Sequence, residues 1–128
     1  MPITARDLPI VDRAHLMQMT SNDTELAAEI IEIFKHQAEI WSRLLDPRQP
    51  ASRWADAVHT LKGASLSLGA MRLAKACEQA ETLGRTGTPS VTEAAVALTD
   101  VKDELAAALE AAAVLAHELA VSGSLKAS

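Results

Sequence analysis

The residues whose types and spacing allow chemistry are His59, Lys62 and Gly63, which stand three and four positions apart. In a helix these residues share one face, because side chains three and four apart are neighbours. A glycine inside a helix costs roughly 1 kcal/mol relative to alanine, so Gly63 requires another reason. Helical side chains lean towards the N-terminus, so a side chain at position 63 would project over His59. Its absence leaves the imidazole open to an approaching group.

This arrangement suits a histidine that accepts a phosphoryl group and passes it on. The imidazole is a nucleophile, and Lys62 lies one turn away, where its ammonium group can offset the charge of a group bound to the ring. The sequence contains no glycine-rich nucleotide-binding loop. We therefore expect a phosphoryl carrier rather than an enzyme with its own ATP site, and no cofactor on this chain. Mg²⁺ and most of the electrostatic catalysis are expected on the partner.

The sequence around His59 resembles the signature of histidine-containing phosphotransfer (HPt) domains. The matching residues are His59–Ser65 and Leu68–Ala70, followed by Leu73, Ala74, Cys77, Glu78 and Glu81–Arg85, with upstream similarity as far as Phe34. The likeness covers roughly residues 10–118. It implies that His59 is phosphorylated. It also implies that Glu81 orients the imidazole, at a position where relatives often carry glutamine, and that Arg85 lies near the phosphate.

The same resemblance implies partners that carry aspartyl phosphates, namely response-regulator receiver domains, a hybrid sensor histidine kinase, or both. Leu66 shares the helical face of His59, and an exposed leucine there predicts a docking patch. Leu16 and Met19, on an earlier short helix, extend this patch, and Arg85 is a further candidate for partner contact. We expect the protein to act as a monomer.

Composition argues against several other classes of protein. Hydrophobic residues make up 48% of the chain but aromatic residues only 2%, which favours closely packed helices over a sheet. The net charge of −5 argues against nucleic acid as a partner. The apolar runs are short for a membrane span, so we expect no membrane insertion. The single cysteine, Cys77, is most simply a small buried residue and fits a cytoplasmic location.

Charge is unevenly distributed along the sequence. Five basic residues and one acid lie between Arg48 and Lys75, so this window carries +4 and the remainder of the chain −9. The pattern predicts a basic island around His59, which would suit a phosphoryl group and an acidic partner pocket. Scattered, solvated charges on helix surfaces are the alternative interpretation.

Periodicity predicts an all-α protein, an antiparallel up-down four-helix bundle with a short extra N-terminal helix. The predicted helices are 12–20, 23–45, 52–68 (with Ser52 as a cap), 71–83, and a last one from 90 or 92 to about 121. Residues 1–9 are predicted to be an extended lead-in, 84–89 a loop and 122–128 a frayed tail. The whole chain, 1–128, is interpreted as one domain.

Apolar spacing also predicts which side of each helix faces the core. The expected inner residues of the second helix are Leu26, Ile30, Ile33, Phe34, Gln37, Ile40, Trp41 and Leu44. Those of the helix that carries His59 are Trp54, Val58, Leu61, Ser65 and Leu68. His59 lies off this second stripe, so we expect it on the outside of the bundle.

Three alternatives remain open at this point. The first is a non-catalytic helical adaptor with a vestigial motif. The second is a metal-binding bundle built on the pairs Asp12/His15 and Asp56/His59, although di-iron bundles use glutamate rather than aspartate in such pairs. The third is the dimerisation domain of a sensor kinase, which usually has an acid and then a proline after its histidine. His36 and His117 lack neighbours of the His59 kind and are interpreted as ordinary residues.

Overall fold

The computed structural model describes the backbone of residues 8–127 and the side chains of residues 8–122. Within that range the chain forms five helices and no strand. They are α1 (Arg13–Met19), α2 (Thr24–Ser42), α3 (Ala51–Leu68), α4 (Met71–Thr86) and α5 (Val91–Ala127). Helices α2 to α5 form a closed bundle in which each helix packs on the next and α5 packs back on α2, while α1 rests on α2 and α3. The predicted all-α bundle with its short extra helix is confirmed.

Side-chain caps define where three of the helices begin. The Asp12 carboxylate accepts from the backbone N–H of His15, and Asp23 accepts from two N–H groups at the start of α2. Ser90 and Glu93 each accept from the other's backbone N–H, which is a capping box that starts α5. No such cap is found for α3 among the described residues. Ser52, the predicted cap, lies inside this helix, because α3 already begins after Pro50.

Helix α2 ends earlier than its apolar pattern predicts, and it turns a different face to the core. It stops at Ser42 rather than at position 45. Its buried residues are Ala27, Ile31, Phe34 and Ala38. Of the predicted inner stripe, Phe34 is buried and Ile30 and Trp41 pack against the core, whereas Leu26, Ile33, Ile40 and Leu44 are exposed, so half of the stripe is wrong. Two buried alanines allow a close approach of the neighbouring helices. Because α2 is apolar on two faces, periodicity alone cannot show which of them is covered.

Gly69 connects α3 to α4 in a single turn. Its φ of 86° lies in the left-handed region, and the N–H of Ala70 donates to the carbonyl of Ser65 at 2.8 Å, which closes a helix C-terminus of the Schellman type. The Gly69 carbonyl accepts from the N–H of Asp12 at 2.8 Å. A Cβ at position 69 would stand 2.9 Å from the Asp12 carbonyl oxygen, so both backbone conformation and packing favour glycine.

Helix α4 continues through Gly84 and Arg85 to Thr86, so the predicted loop at 84–86 is wrong. Gly84 lies against the buried indole ring of Trp54, which a larger residue would contact too closely. We attribute the extra turn of α4 to this packing, which offsets the poor helix propensity of glycine. The additional turn places Arg85 on α4, one turn after Glu81.

Helix α5 also extends beyond its predicted end, because its backbone is helical to Ala127. The frayed tail predicted from position 122 is therefore wrong for 122–127, a segment with no proline to stop the helix. Residues 1–7 of the predicted lead-in lie outside the described part of the chain. The buried residues of α5 alternate in steps of four and three: Ala94, Leu98, Val101, Leu105, Ala108, Ala112, Leu115 and Leu119.

By length and composition alone, α5 could cross a membrane. Its segment 91–122 contains a window of mean hydropathy 1.5, of which 28% is buried inside the protein. The buried stripe of this helix belongs to the same hydrophobic core as residues of α1, α2, α3 and α4.

Candidate functional site: an exposed histidine held by a carboxylate

Helix α3 turns His59 to the outside of the bundle. The flanking inner residues Val58 and Leu61 are fully buried, and so is Ser65 one turn later. Since these residues fix the inner face of α3, His59 must point away from the core. Its side chain is 62% exposed. The expectation that the imidazole stands on the surface is confirmed.

Gly63 lies one turn after His59 on the same face, and packing does not require it to be glycine. Apart from the adjacent residues and the nearby backbone of α3 itself, no atom of the described residues comes within 4 Å of a Cβ placed at position 63. Its φ is not in the left-handed region either. Neither sterics nor backbone conformation therefore explains the glycine, which leaves access to His59 as a physical reason for it.

Glu81 on α4 joins His59 and Lys62 through one half-buried carboxylate. His59 Nδ1 lies 2.8 Å from one oxygen of Glu81, and Lys62 Nζ lies 3.0 Å from the other. The hydrogen bond from Lys62, assisted by that from His59, holds the pKa of Glu81 below its ordinary value of 4.5. An ionised carboxylate only accepts hydrogen bonds, so the proton of the neutral imidazole is on Nδ1 and the lone pair is on Nε2.

A second ion pair lies beside this one. Arg85 Nη2 donates to Asp56 Oδ1 at 2.7 Å, and Arg85 Nε lies 3.7 Å from Glu81. The hydrogen bond to Asp56 raises the pKa of Arg85, which stays charged. Asp56 was named from the sequence with His59 in the alternative metal site, but its pairing with Arg85 was not predicted, because Arg85 was placed in a loop. The four-residue spacing of Glu81 and Arg85 was the available signal, and it indicates contact only if α4 continues.

The predicted basic island is largely neutralised in the folded protein. Most of its cations pair with acids, several of which come from α4 and α5. The pairs are Lys62–Glu81, Arg72–Glu104, Lys75–Glu78 and Arg48–Asp46. The window of +4 in the sequence therefore does not form a patch of unpaired positive charge around His59, because the fold brings carboxylates from other helices onto it.

The four predicted docking residues divide into three exposed residues, one of which is Arg85 on α4, and one buried residue. Leu66 and Met19 are exposed, as expected for a patch beside His59. Leu16 is fully buried, so its assignment to the docking patch is wrong. It points inwards because α1 rests on the bundle through this residue. His15 Nε2 lies 3.0 Å from the carbonyl oxygen of Leu66, which ties α1 to the outer face of α3.

An exposed apolar surface on α2 was missed at the sequence level, and we call it the α2 flank. It consists of Leu26, Ile33, Ile40 and Leu44. The side of α2 that faces α5 is instead polar, since Glu32, Lys35 and Glu39 line the groove between these two helices. By helical geometry the α2 flank lies on the opposite side, next to α3. Exposed apolar side chains therefore lie on α2 as well as at Leu66 of α3.

The remaining candidates have structural explanations. Cys77 is buried, which confirms its interpretation as a small core residue, and burial raises its pKa to about 12. Among the described residues, no three His, Cys, Asp or Glu side chains are grouped to hold a metal ion. Asp12 caps α1 and Asp56 binds Arg85, so the carboxylates of the alternative metal site are engaged elsewhere.

Comparison with known proteins decides the family. The model of the Hpt domain matches residues 25–114, which contain α2, α3, α4 and most of α5. The chain belongs to the Hpt family. This Hpt domain is also similar to the crystal structure of the histidine phosphotransferase ShpA from Caulobacter crescentus, with 35% sequence identity and a TM-score of 0.72. The similarity covers 90% of this chain and 98% of ShpA. No curated protein matches the sequence.

Membership of the Hpt family confirms the function predicted from the His59 motif. The protein is a histidine phosphotransfer protein of a two-component phosphorelay, and its partners are of the kinase and receiver kind. Hpt proteins are intermediates in phosphoryl transfer. The structure adds the geometry of a surface histidine whose second ring nitrogen is bound by a carboxylate.

Proposed function

We propose that His59 carries the phosphoryl group, which it takes from an aspartate of one receiver domain and gives to another. The observation that carries this proposal is the 2.8 Å contact between His59 Nδ1 and the ionised Glu81. It leaves Nε2 as the nucleophile on a ring that is 62% exposed. The partner's active site needs this exposure, because a receiver must bring its aspartyl phosphate within bonding distance of the ring.

The transfer step balances without a proton leaving the site. The Nε2 lone pair forms a bond to phosphorus while the bond from phosphorus to the aspartate oxygen breaks, and the carboxylate leaves with that electron pair. The ring keeps its Nδ1 proton and gains positive character, which the Glu81 carboxylate stabilises at 2.8 Å. Transfer to the next receiver reverses the same step.

Lys62 and Gly63 support this chemistry in different ways. Lys62 is held by Glu81 one turn from His59, where its ammonium group offsets charge on the phosphoryl oxygens. Gly63 leaves the approach to the ring free. ATP and Mg²⁺ belong to the partners in this proposal, so the chain acts as a carrier without a nucleotide site of its own.

The proposed docking site for receiver domains or a hybrid kinase is made of exposed apolar residues on α1, on α2 and on α3, the helix that carries His59. It combines Leu66 and Met19 with the α2 flank. On the other side of α3, a groove of about 420 Å³ lies between Leu66 and the Met71 and Lys75 side chains of α4. Exposed apolar residues of this extent, rimmed by charged residues, suit a transient protein interface.

We further propose that the protein acts as a cytoplasmic monomer. Among the described residues, the ion-pair contacts of the His59 site join α3 to α4 within one copy, so this arrangement of the ring needs no second subunit. The pairing of basic residues with acids offers little to nucleic acid. The buried stripe of α5 argues for a core helix rather than a membrane span.

Labelling with a phosphorylated receiver tests the proposal. The protein should acquire a label that is labile in acid and stable in base, as phosphohistidine is. His59→Gln should abolish the label with unchanged circular dichroism, while His36→Gln, at an exposed histidine of α2, should label normally. Label retained by His59→Gln would move the site elsewhere. A wild-type protein that binds receivers but never labels would be a non-catalytic adaptor.

A further inference from the structure

Two cations flank His59, and each is paired with a carboxylate of a different kind. Lys62 is paired with Glu81, whose side chain is 16% exposed and which also accepts from His59. Arg85 is paired with Asp56, whose side chain is 68% exposed. Among the described residues, the Asp56 carboxylate makes its hydrogen bond to Arg85. The first pair is therefore anchored to the imidazole, and the second lies in contact with water.

We propose that Asp56 is a positioning residue that holds Arg85 beside His59 and releases it to the phosphoryl group when the histidine is phosphorylated. This inference rests on the proposed function of His59. It assigns a regulatory role to a carboxylate whose part in transfer the sequence did not indicate. In this arrangement Asp56 binds the Arg85 guanidinium while His59 is unphosphorylated. Once His59 is phosphorylated, Asp56 competes with the phosphoryl group for the same guanidinium.

The positions of the residues allow this exchange without any movement of the helices. Asp56 precedes His59 by three residues, so both side chains project from neighbouring points on the outer surface of α3. Arg85 reaches across from α4, with Nη2 on Asp56 and Nε 3.7 Å from the Glu81 carboxylate that binds the ring. A change of side-chain torsions in Arg85 is enough to exchange one acceptor for another.

The charges favour the exchange in the phosphorylated state. Exposed ion pairs are weak because water competes for both partners, and the Asp56–Arg85 pair is exposed on both sides. A phosphoryl group offers a larger negative charge and several oxygens, which suit the planar fork of a guanidinium. Lys62 is less free to respond, since its partner Glu81 is half-buried and is also bound to His59.

The expected consequence is that Asp56, by competing for Arg85, lowers the stability of phospho-His59 relative to the aspartyl phosphate of the receiver. Asp56→Asn should shift the transfer equilibrium with a phosphorylated receiver towards phospho-His59 by about three- to tenfold, since it frees Arg85. Arg85→Gln should shift it the other way. Loss of a nearby negative charge would have a direct effect as well, so the decisive measurement is Asp56→Asn in the Arg85→Gln background, where the shift should fall below about twofold.

A spectroscopic measurement separates this role from a merely structural one. The small donor phosphoramidate would phosphorylate the protein without a receiver, and the Nε–H signals of ¹⁵N-labelled arginines would be recorded before and after. The Arg85 signal should move on phosphorylation, while that of Arg53, an exposed arginine of α3, should stay in place. In Asp56→Asn the Arg85 signal should differ from wild type already before phosphorylation.

The outcomes distinguish the two proposals. If phosphoramidate or a phosphorylated receiver never modifies His59, the proposed function and this inference both fail. If His59 is phosphorylated but the Arg85 signal does not move, the role of Asp56 alone is overturned. An undiminished effect of Asp56→Asn in the Arg85→Gln background would also overturn it, because the carboxylate would then act without the arginine.

Discussion

Gly84 packs directly on Trp54, and a Cβ at position 84 would stand 2.7 Å from Cζ3 of the indole ring. Trp54 is buried on the inner face of α3, so the ring has little room to move aside. This close contact holds the last turn of α4 against α3. Because Arg85 follows immediately, the contact also positions the guanidinium that reaches Asp56.

We predict opposite effects of alanine at two glycines. Gly84→Ala should lower the free energy of unfolding by about 1–3 kcal/mol, because the added methyl group meets Trp54 and Ala55. Gly63→Ala should raise it by about 0.5–1 kcal/mol, since position 63 is an open helical site. Urea denaturation of both variants would measure this. A gain in stability for Gly84→Ala would show that the indole ring of Trp54 moves to accommodate the methyl group.

The size of residue 63 should control access to His59. Gly63→Gln keeps a good helix former at this position but projects a side chain towards the imidazole. The rate of transfer from a phosphorylated receiver should fall by on the order of 10²-fold, because the aspartyl phosphate can no longer approach His59 Nε2 in line. Gly63→Ala adds only a methyl group and should slow transfer less than glutamine does, so the transfer rates should fall in the order glycine, alanine, glutamine. Equal rates for glutamine and glycine would remove the argument that Gly63 provides access.

The charge of Glu81 should matter more for transfer than its shape. Glu81→Gln keeps an acceptor for His59 Nδ1–H but loses the negative charge that stabilises the ring as it gains positive character. Charge-assisted hydrogen bonds exceed neutral ones by about 1 kcal/mol, so the transfer rate should fall about fivefold. Glu81→Ala should cost more, since His59 and Lys62 both lose their partner. Single-turnover transfer assays would show whether the transfer rate decreases from wild type to Glu81→Gln to Glu81→Ala.

Glu81 should also make stability depend on pH in the acid range. Lys62 lowers the pKa of Glu81 in the folded protein, whereas the unfolded chain has the ordinary value of 4.5. Below that value the unfolded state binds the proton first, so this contribution to stability is present above pH 4.5 and is lost as pH falls through the folded pKa. Glu81→Gln should therefore lose less stability than wild type between pH 6 and pH 3. Identical pH profiles for the two proteins would contradict the prediction.

Cys77 should be inert in the folded protein. Burial raises its pKa to about 12, and thiols react as thiolates, so a disulfide reagent at pH 8 should modify it only after unfolding. The unfolded thiol ionises from about pH 9, so the contribution of Cys77 to stability is present below that pH and is lost as pH rises towards 12. The same reagent in concentrated urea is the control. Rapid modification of the native protein would show that the core near Cys77 opens readily.

The sequence alone determined which residues α3 presents on its outer face. His59, Lys62 and Gly63 share a face because helical geometry is local, and the apolar residues between them leave only one side of the helix to be buried. For the same reason the inner residues of α3, from Trp54 to Leu68, were predicted correctly. The bundle itself followed from four amphipathic segments with short connections.

Only the tertiary structure decided what surrounds the imidazole. The partner of Lys62, the pairing of Asp56 with Arg85 and the neutralisation of the basic segment all depend on α4 and α5 lying against α3. The length of α4 depended on a glycine that is unfavourable in an isolated helix but complementary to Trp54. Likewise, α2 has two apolar faces, and packing rather than periodicity selected which one is buried. These ion pairs and packing contacts join residues that are far apart in the sequence, so the local spacing of residues along one helix cannot predict them.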